Sequence, residues 1–186
     1  AAPPMPTFDA GIAVPTSAPN VSVAANTSVT LSGTVYGNIQ VKAGGKLTFL
    51  HATIDCKMIQ VMDGATLRGD KACTRIRVEG KFQAMKNSII NPAADNHDFA
   101  IYVDNTNTSG SGAGVGSGGS GSSSNTSVLI QQSAKVKAFI YAPNGGMEVH
   151  GPGGNGTTAS GSGSGIHSVA PATSMTGLFI ARSVNA

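Results

Sequence analysis

The chain has 186 residues, with 12 lysines and arginines against 9 aspartates and glutamates, and a formal net charge of +3. Charged residues make up only 11%, well under the quarter that is usual in a soluble domain, and serine, threonine, asparagine and glycine take their place. The length is enough for one domain with a core, and no apolar run reaches the length of a membrane span.

The first 27 residues are rich in proline, which fixes φ and cannot donate a hydrogen bond to a sheet. We therefore expect an extended arm over residues 1–27 and a β domain over residues 28–186. The start Ala1-Ala2-Pro3-Pro4 fits a mature terminus left after a signal peptide is removed, which predicts an extracellular or cell-surface protein. The apolar anchors expected to hold the arm on a neighbouring copy are Phe8, Ile12 and Val14. An arm folded back on its own domain is the alternative.

A short Ile-x-Val pattern recurs through the middle of the chain, and a glycine turn and a second apolar segment follow most copies. A repeat near twenty residues with short strands is typical of a solenoid, in which each coil buries its apolar face against the next. The copies are Ile39-Gln40-Val41, Ile59-Gln60-Val61, Ile76-Arg77-Val78 and Ile101-Tyr102-Val103, with a looser fifth at Val128-Leu129-Ile130.

Apolar and polar residues alternate within these segments, as in strands with one buried face, and glycine suits the corners between strands. The sequence therefore predicts an all-β, single-domain parallel β-helix. A β-sandwich is the alternative, because short strands and glycine turns suit it as well. Glycine- and serine-rich insertions are expected at 105–127 and 151–165.

The same repeat predicts where the two cysteines lie relative to each other. Cys56 stands three residues before Ile59, and Cys73 stands three residues before Ile76. If these isoleucines stack, the cysteines occupy equivalent places on successive coils, about 4.8 Å apart, within the range of a disulfide. We therefore predict a Cys56–Cys73 disulfide, which would agree with an oxidising compartment. Two unpaired buried thiols are the alternative.

Two groups of charged residues are candidates for ligand binding. One is a basic cluster that could hold an acidic polysaccharide or DNA, although the simpler interpretation is a solvated face of two coils; its residues are Arg68, Lys71, Arg75, Arg77, Lys81 and Lys86. The other is a weak Ca²⁺ candidate without regular ligand spacing; its residues are Asp95, Asp98 and Asp104, beside His97. We predict no metal site and no cofactor. The sequence shows no convergent acids with aromatic platforms, so no enzyme is expected.

The C-terminal third carries a resemblance to a known family. An I-Y-A-P-N segment at residues 140–144 is followed by an apolar strand ending in Gly151, and later by G-x-x-x-A at residues 177–181. This order resembles the C-terminal β-solenoid domain of bacterial pilus-assembly and minor-pilin-like proteins, and the coils are loosely similar to those of bactofilins. The usual N-terminal hydrophobic helix is absent from this sequence. The resemblance implies an exported protein associated with surface structures.

These observations give two functional hypotheses. The first is an exported structural subunit of a surface filament, pilus-like fibre or matrix, which associates with copies of itself through the arm or the edges of the solenoid. The second is a binding module for polysaccharide or nucleic acid that uses the basic cluster.

Overall fold

The computed structural model describes residues 12–70, 73–92, 98–105, 126–150, 174–176 and 179–185. Within these ranges every regular element is a β-strand. The strands are β1 (Val21–Val23), β2 (Ser28–Leu31), β3 (Val35–Val41), β4 (Lys46–Phe49), β5 (Thr53–Val61), β6 (Thr66–Gly69), β7 (Cys73–Ala84), β8 (Ile89–Ile90), β9 (Asp98–Val103), β10 (Thr126–Ile130), β11 (Lys135–Lys137), β12 (Phe139–Val149), β13 (Ser174–Thr176) and β14 (Phe179–Asn185). None of the described residues belongs to a helix long and apolar enough to cross a membrane.

The strands form two parallel sheets that face each other across one core. The first sheet has eight strands, in the order β1-β3-β5-β7-β10-β12-β14 with β9 between β7 and β12, and the second has six, in the order β13-β11-β8-β6-β4-β2. The chain passes back and forth between the two sheets, with β9 and β10 as two successive strands of the first sheet, and every pairing is parallel. The chain therefore winds as a β-solenoid. The predicted parallel β-helix is confirmed, and the antiparallel sandwich is excluded.

The long strands of the first sheet bend where their pairing is irregular. The register of β5 against β7 shifts between Cys56 and Met58, and the register of β12 against β14 shifts between Ala142 and Gly146. A bulge of this kind bends the strand that carries it. The bend divides each long strand into an N-terminal and a C-terminal segment. The N-terminal segments form one half of the first sheet and the C-terminal segments form the other, and the two halves meet along a corner.

A second corner joins the first sheet to the second and repeats from coil to coil. At equivalent places the backbone adopts a positive φ, which glycine and asparagine accept most readily. These residues are Asn26 (φ 56), Gly44 (φ 67), Gly64 (φ 67), Asn87 (φ 58) and Ser133 (φ 58). Where the structure describes the same turn in the next coil, the backbone N–H of the positive-φ residue donates to a carbonyl of that turn. Gly44 N–H donates to Asp63 O at 3.1 Å, and Gly64 N–H donates to Lys86 O at 3.0 Å.

The predicted core is confirmed, but part of its stacking was predicted wrongly. Each isoleucine and valine of the four clear Ile-x-Val copies is fully buried. Ile59 stacks on Ile39, as expected, but on its other side it pairs with Phe82 and not with Ile76. Ile76 belongs to a separate column on the N-terminal half, between Ile54 and Ile101. The Ile-x-Val copies therefore do not all mark the same place in a coil. Ile39 and Ile59 lie on the C-terminal half of the first sheet, and Ile76 and Ile101 lie on its N-terminal half.

The predicted disulfide depended on that register and is wrong. Cys56 lies opposite Val78, and Cys73 is the first residue of β7, five positions away along the strand. At about 3.3 Å per residue the separation is roughly 16 Å, far beyond the Cα distance that a disulfide allows. Cys56 is a buried free thiol whose sulfur lies 3.7 Å from Arg77 O. Burial, followed by the charge of Asp55, raises the pKa of this thiol, so it stays protonated at neutral pH.

The expected domain boundary also changes. β1 lies within the predicted arm, yet it pairs in register with β3, so the solenoid begins by Val21 and not at Ser28. Of the first expected insertion, Asn105 follows β9 directly and Thr126–Ser127 open β10, while residues 106–125 lie outside the described residues. The second insertion, at 151–165, lies wholly outside them.

One prediction concerns the core. Ile59 is fully buried between Ile39 and Phe82, so Ile59→Ala should lower the free energy of unfolding by about 2–5 kcal/mol through lost burial and the cavity left behind. Leu129→Ala is the matched control, because Leu129 lies on the outer side of β10 and is only half buried. Urea denaturation followed by circular dichroism measures both changes. A loss under about 1 kcal/mol at Ile59 would contradict the assigned core.

A second prediction separates two costs at the turns. Gly44 and Gly64 share a φ of 67°, but a Cβ at Gly64 would meet nothing within 4 Å, whereas a Cβ at Gly44 would overlap the Asn26 carboxamide. Gly64→Ala should therefore cost only the backbone strain of about 1–2 kcal/mol. Gly44→Ala should cost at least as much, since the exposed Asn26 carboxamide must also turn away from the new methyl group. Urea denaturation measures both losses, and a clearly smaller loss for Gly44→Ala would contradict the assigned stacking.

A third prediction concerns the thiols. If the protein is unfolded without reductant, intact-mass analysis should show Cys56 and Cys73 alkylated, because the register keeps them from pairing within one chain. In the folded state Cys56 should resist alkylation, because it is buried and its pKa is raised. An intrachain Cys56–Cys73 bond found by peptide mapping would overturn the register of β5 against β7.

Candidate functional site

Outward side chains of β5, β7, β9 and β12 form one surface on the N-terminal half of the first sheet. The alternation of each strand sets their direction, because Ile54, Ile76 and Ile101 point into the core and their sequence neighbours point out. We call this surface the tyrosine–arginine face. It consists of Asp55, Arg75, Arg77, Tyr102, Phe139 and Tyr141.

Parallel register arranges these residues in two adjacent columns. In the first column Arg77 pairs with Asp55 on one side and Tyr102 on the other, and Tyr102 pairs with Tyr141. In the second column Ala100 lies between Arg75 and Phe139. Neighbouring members of a column are about 4.8 Å apart, so aromatic and cationic groups from four strands lie close together.

The aromatic part of the face is partly open to solvent. Phe139 is 43% exposed and is one of only two exposed large apolar side chains among the described residues. The rings of Tyr102 and Tyr141 are half buried and meet edge to face, with centroids 6.3 Å apart and an angle of 67° between planes. This aromatic surface beside polar groups is therefore a candidate interaction surface.

The charged part of the face is held in place by a bidentate ion pair. The Nε of Arg77 donates to Asp55 Oδ1 and its Nη2 donates to Asp55 Oδ2, both at 2.6 Å. The side chains are 41% and 23% exposed, so water screens the pair and its contribution to stability is modest. Its effect is to fix the plane of the guanidinium beside Tyr102.

The six basic residues of the sequence prediction do not form one face, so that prediction is wrong. Arg75 and Arg77 do share the tyrosine–arginine face, but Lys81 lies beyond the bend of β7 and Lys86 lies in the turn after it. Arg68 belongs to the second sheet, where its Nε donates to Thr48 Oγ1 at 2.9 Å. Lys71 lies outside the described residues. Proximity in sequence failed here because one coil turns through all sides of the solenoid.

The tyrosines were missed as site residues, although the sequence carried their signal. Tyr102 is the middle residue of Ile101-Tyr102-Val103, as Arg77 is of Ile76-Arg77-Val78, and a middle residue between two buried neighbours must point outward. Tyr141 follows the same rule between Ile140 and Ala142. A correct alignment of these segments would have placed the rings beside Arg77.

The described residues of the weak calcium candidate are not brought together as a site. Asp104 is 3% exposed, and its carboxylate accepts from Asn144 Nδ2 at 3.1 Å and from the backbone N–H of Ile12 at 3.2 Å. Asp98 begins β9 and Asp104 follows its end, so the strand separates them, while Asp95 and His97 lie outside the described residues. The described residues contain no group of three or more potential metal ligands.

The arm was predicted to lie on a neighbour, but its described part lies on its own domain. The backbone N–H of Ile12 donates to Asp104 Oδ2 at 3.2 Å, and the backbone N–H of Val14 donates to Glu79 Oε2 at 3.1 Å. Val14 is 7% exposed and contributes to the buried apolar set. The alternative of an arm folded back on the domain therefore describes residues 12–14. Phe8 lies outside the described residues.

Comparison with known proteins assigns no family. No family model, no curated protein and no solved structure matches this chain. The resemblance to pilus-assembly and minor-pilin-like proteins accordingly stays a prediction made from the sequence.

Proposed function

We propose that this chain is a non-catalytic module of the cell exterior that binds an extended polysaccharide on the tyrosine–arginine face. The observation that carries the proposal is the placement of Phe139, Tyr102 and Tyr141 in register with Arg75 and Arg77 on one parallel sheet. Aromatic rings stack against the apolar C–H faces of pyranoses. Arginine donates paired hydrogen bonds to sugar carboxylates and hydroxyls.

The charge of the face favours a sugar polymer over a nucleic acid. Arg75 and Arg77 stand beside Asp55, which already binds Arg77 through both oxygens. Binding to a phosphate backbone usually depends on several cations that release counterions, and this face offers a small positive excess. That excess suits a polymer with scattered carboxylates, such as one containing uronic acids.

A role in binding without catalysis agrees with the chemistry of the face. Most glycosidases need two carboxyl groups flanking the scissile bond. Among the described residues, the tyrosine–arginine face contributes one carboxylate, Asp55, and that group is held by Arg77. The low charge and the abundance of serine, threonine and asparagine support an extracellular location, whereas the cysteines no longer do.

A structural role by self-association is the second candidate function, and the first coil supports it. Val21, Val29 and Leu31 occupy the inward columns of that coil, yet they are only partly buried where corresponding residues of later coils are fully buried. A coil with incompletely covered apolar side chains, and with a strand edge that no other described strand pairs with, is suited to stacking on another subunit. This is the arrangement that a filament or matrix subunit would use.

The binding proposal predicts a defined loss in two variants. Tyr102→Ala and Tyr141→Ala should each weaken binding to polygalacturonate or alginate about tenfold, equivalent to about 1.4 kcal/mol, because each removes a stacking surface. Affinity gel electrophoresis with the polymer cast in the gel measures this. Lys46→Ala, an exposed cation on the second sheet, is the matched control and should bind normally.

Two outcomes would contradict the proposal. One is the absence of retardation by polygalacturonate, alginate and neutral dextran alike. The other is an equal loss in the Lys46→Ala control, which would mean that general charge and not the tyrosine–arginine face holds the polymer. Single-stranded DNA in a parallel gel tests the nucleic-acid hypothesis, and stronger retardation by DNA would replace the sugar polymer as ligand.

A further inference from the structure

The corner between the two halves of the first sheet carries a row of polar groups to which an extended peptide is bound. We call residues 12–14 the strap and call the residues that receive it the polar corner. The polar corner consists of Glu79, Asp104, Asn105 and Asn144. The strap crosses two coils, because its Ile12 N–H donates to Asp104 and its Val14 N–H donates to Glu79.

The polar corner is organised by contacts that do not involve the strap. The backbone N–H of Asp104 donates to Val78 O and that of Asn105 donates to Glu79 O, both at 2.9 Å. The Asn105 side chain donates to Ser127 Oγ at 2.8 Å, and Asn144 Nδ2 donates to Asp104 Oδ1. The Asp104 carboxylate and the backbone that carries Glu79 are therefore held independently of the strap, and both carboxylates can accept from a chain that presents N–H groups.

The strap is joined to its own coil through a short exposed turn. Pro15, Thr16 and Ser17 are exposed, and the described backbone bond within the turn runs from Ala18 N–H to Pro15 O at 3.0 Å. Beyond the turn the chain is anchored separately, since Gly37 N–H donates to Pro19 O at 2.8 Å. The strap can therefore leave the polar corner while the first coil keeps its place.

An empty polar corner is unfavourable. Asp104 is 3% exposed, and loss of the Ile12 donor from a nearly buried carboxylate costs more than the same loss in water. The identical strap of a second copy restores both hydrogen bonds and the burial of Val14. Exchange of such an element between copies re-forms these described contacts in a second molecule, and the length of the connecting turn affects whether it occurs.

We propose that the polar corner is a docking site for the strap of a second copy of this chain, so that copies are linked by exchange of residues 12–14. At low concentration the strap binds in its own molecule, where the connecting turn gives it an effective concentration of roughly millimolar. At the high density of a surface layer, exchange competes. Reciprocal exchange gives a two-fold dimer, and open exchange gives a chain of subunits.

Shortening the connecting turn tests the proposal in the full chain. Deletion of Thr16 and Ser17 should leave the strap too short to reach its own Glu79 and Asp104, so the variant should form dimers or larger species at micromolar concentration in light scattering after size exclusion. Replacement of the same two residues by Gly-Ser keeps the length and should stay monomeric. Adding Glu79→Ala and Asp104→Ala to the deletion should return it to monomer, because both acceptors of the strap N–H groups are then removed.

Crosslinking identifies which segment links the copies. A photo-crosslinking amino acid at Ala13 in the shortened variant, mixed with ¹⁵N-labelled copies, should give mixed-isotope crosslinks to peptides of the polar corner. Circular dichroism confirms that each variant is folded. A folded, shortened variant that stays monomeric, or assemblies whose crosslinks at position 13 never reach the polar corner of another copy, would overturn the proposal.

Discussion

The structure depends on the parallel pairing of each coil with the next. A single coil cannot enclose its own apolar side chains, and inward residues such as Ile59 are buried only because neighbours at about 4.8 Å continue the column on both sides. The same pairing aligns the outward side chains of successive coils in columns on the surface. Core and surface columns are therefore set by one register, and a shift of one residue would exchange them.

The two kinds of corner impose different requirements on the sequence. At the turn into the second sheet the backbone needs a positive φ, which Gly44, Gly64 and Asn87 satisfy at equivalent places. At the bend within the first sheet the requirement is a bulge, which leaves side chains and peptide groups without the regular alternation of a strand. Polar residues gather there, and this explains why a crossing segment is bound at the bend by carboxylates.

The tyrosine–arginine face and the polar corner are neighbours by construction. Glu79 follows Arg77 by two residues, and Asp104 follows Tyr102 by two, so the column that carries the strap runs beside the column that carries the ring and the guanidinium. The strap thus borders the proposed ligand surface along the solenoid axis. Binding of a polymer and exchange of the strap would occur on adjoining strips of the same rigid sheet, which suits a protein that joins copies while holding a matrix.

The sequence by itself determined the class of fold and the buried residues. Alternation and repetition are local properties, and they identified the inward isoleucines and valines correctly. Only the tertiary structure decided which segments stack. One coil contributes two segments with similar apolar patterns to the first sheet, so local alternation cannot tell whether Ile76 or Phe82 is the neighbour of Ile59. The disulfide and the overlooked tyrosines followed from that choice, and the basic cluster failed because residues close in sequence lie on different sides of one coil. A side chain's partners in a solenoid lie one coil away and are fixed by the length of each turn.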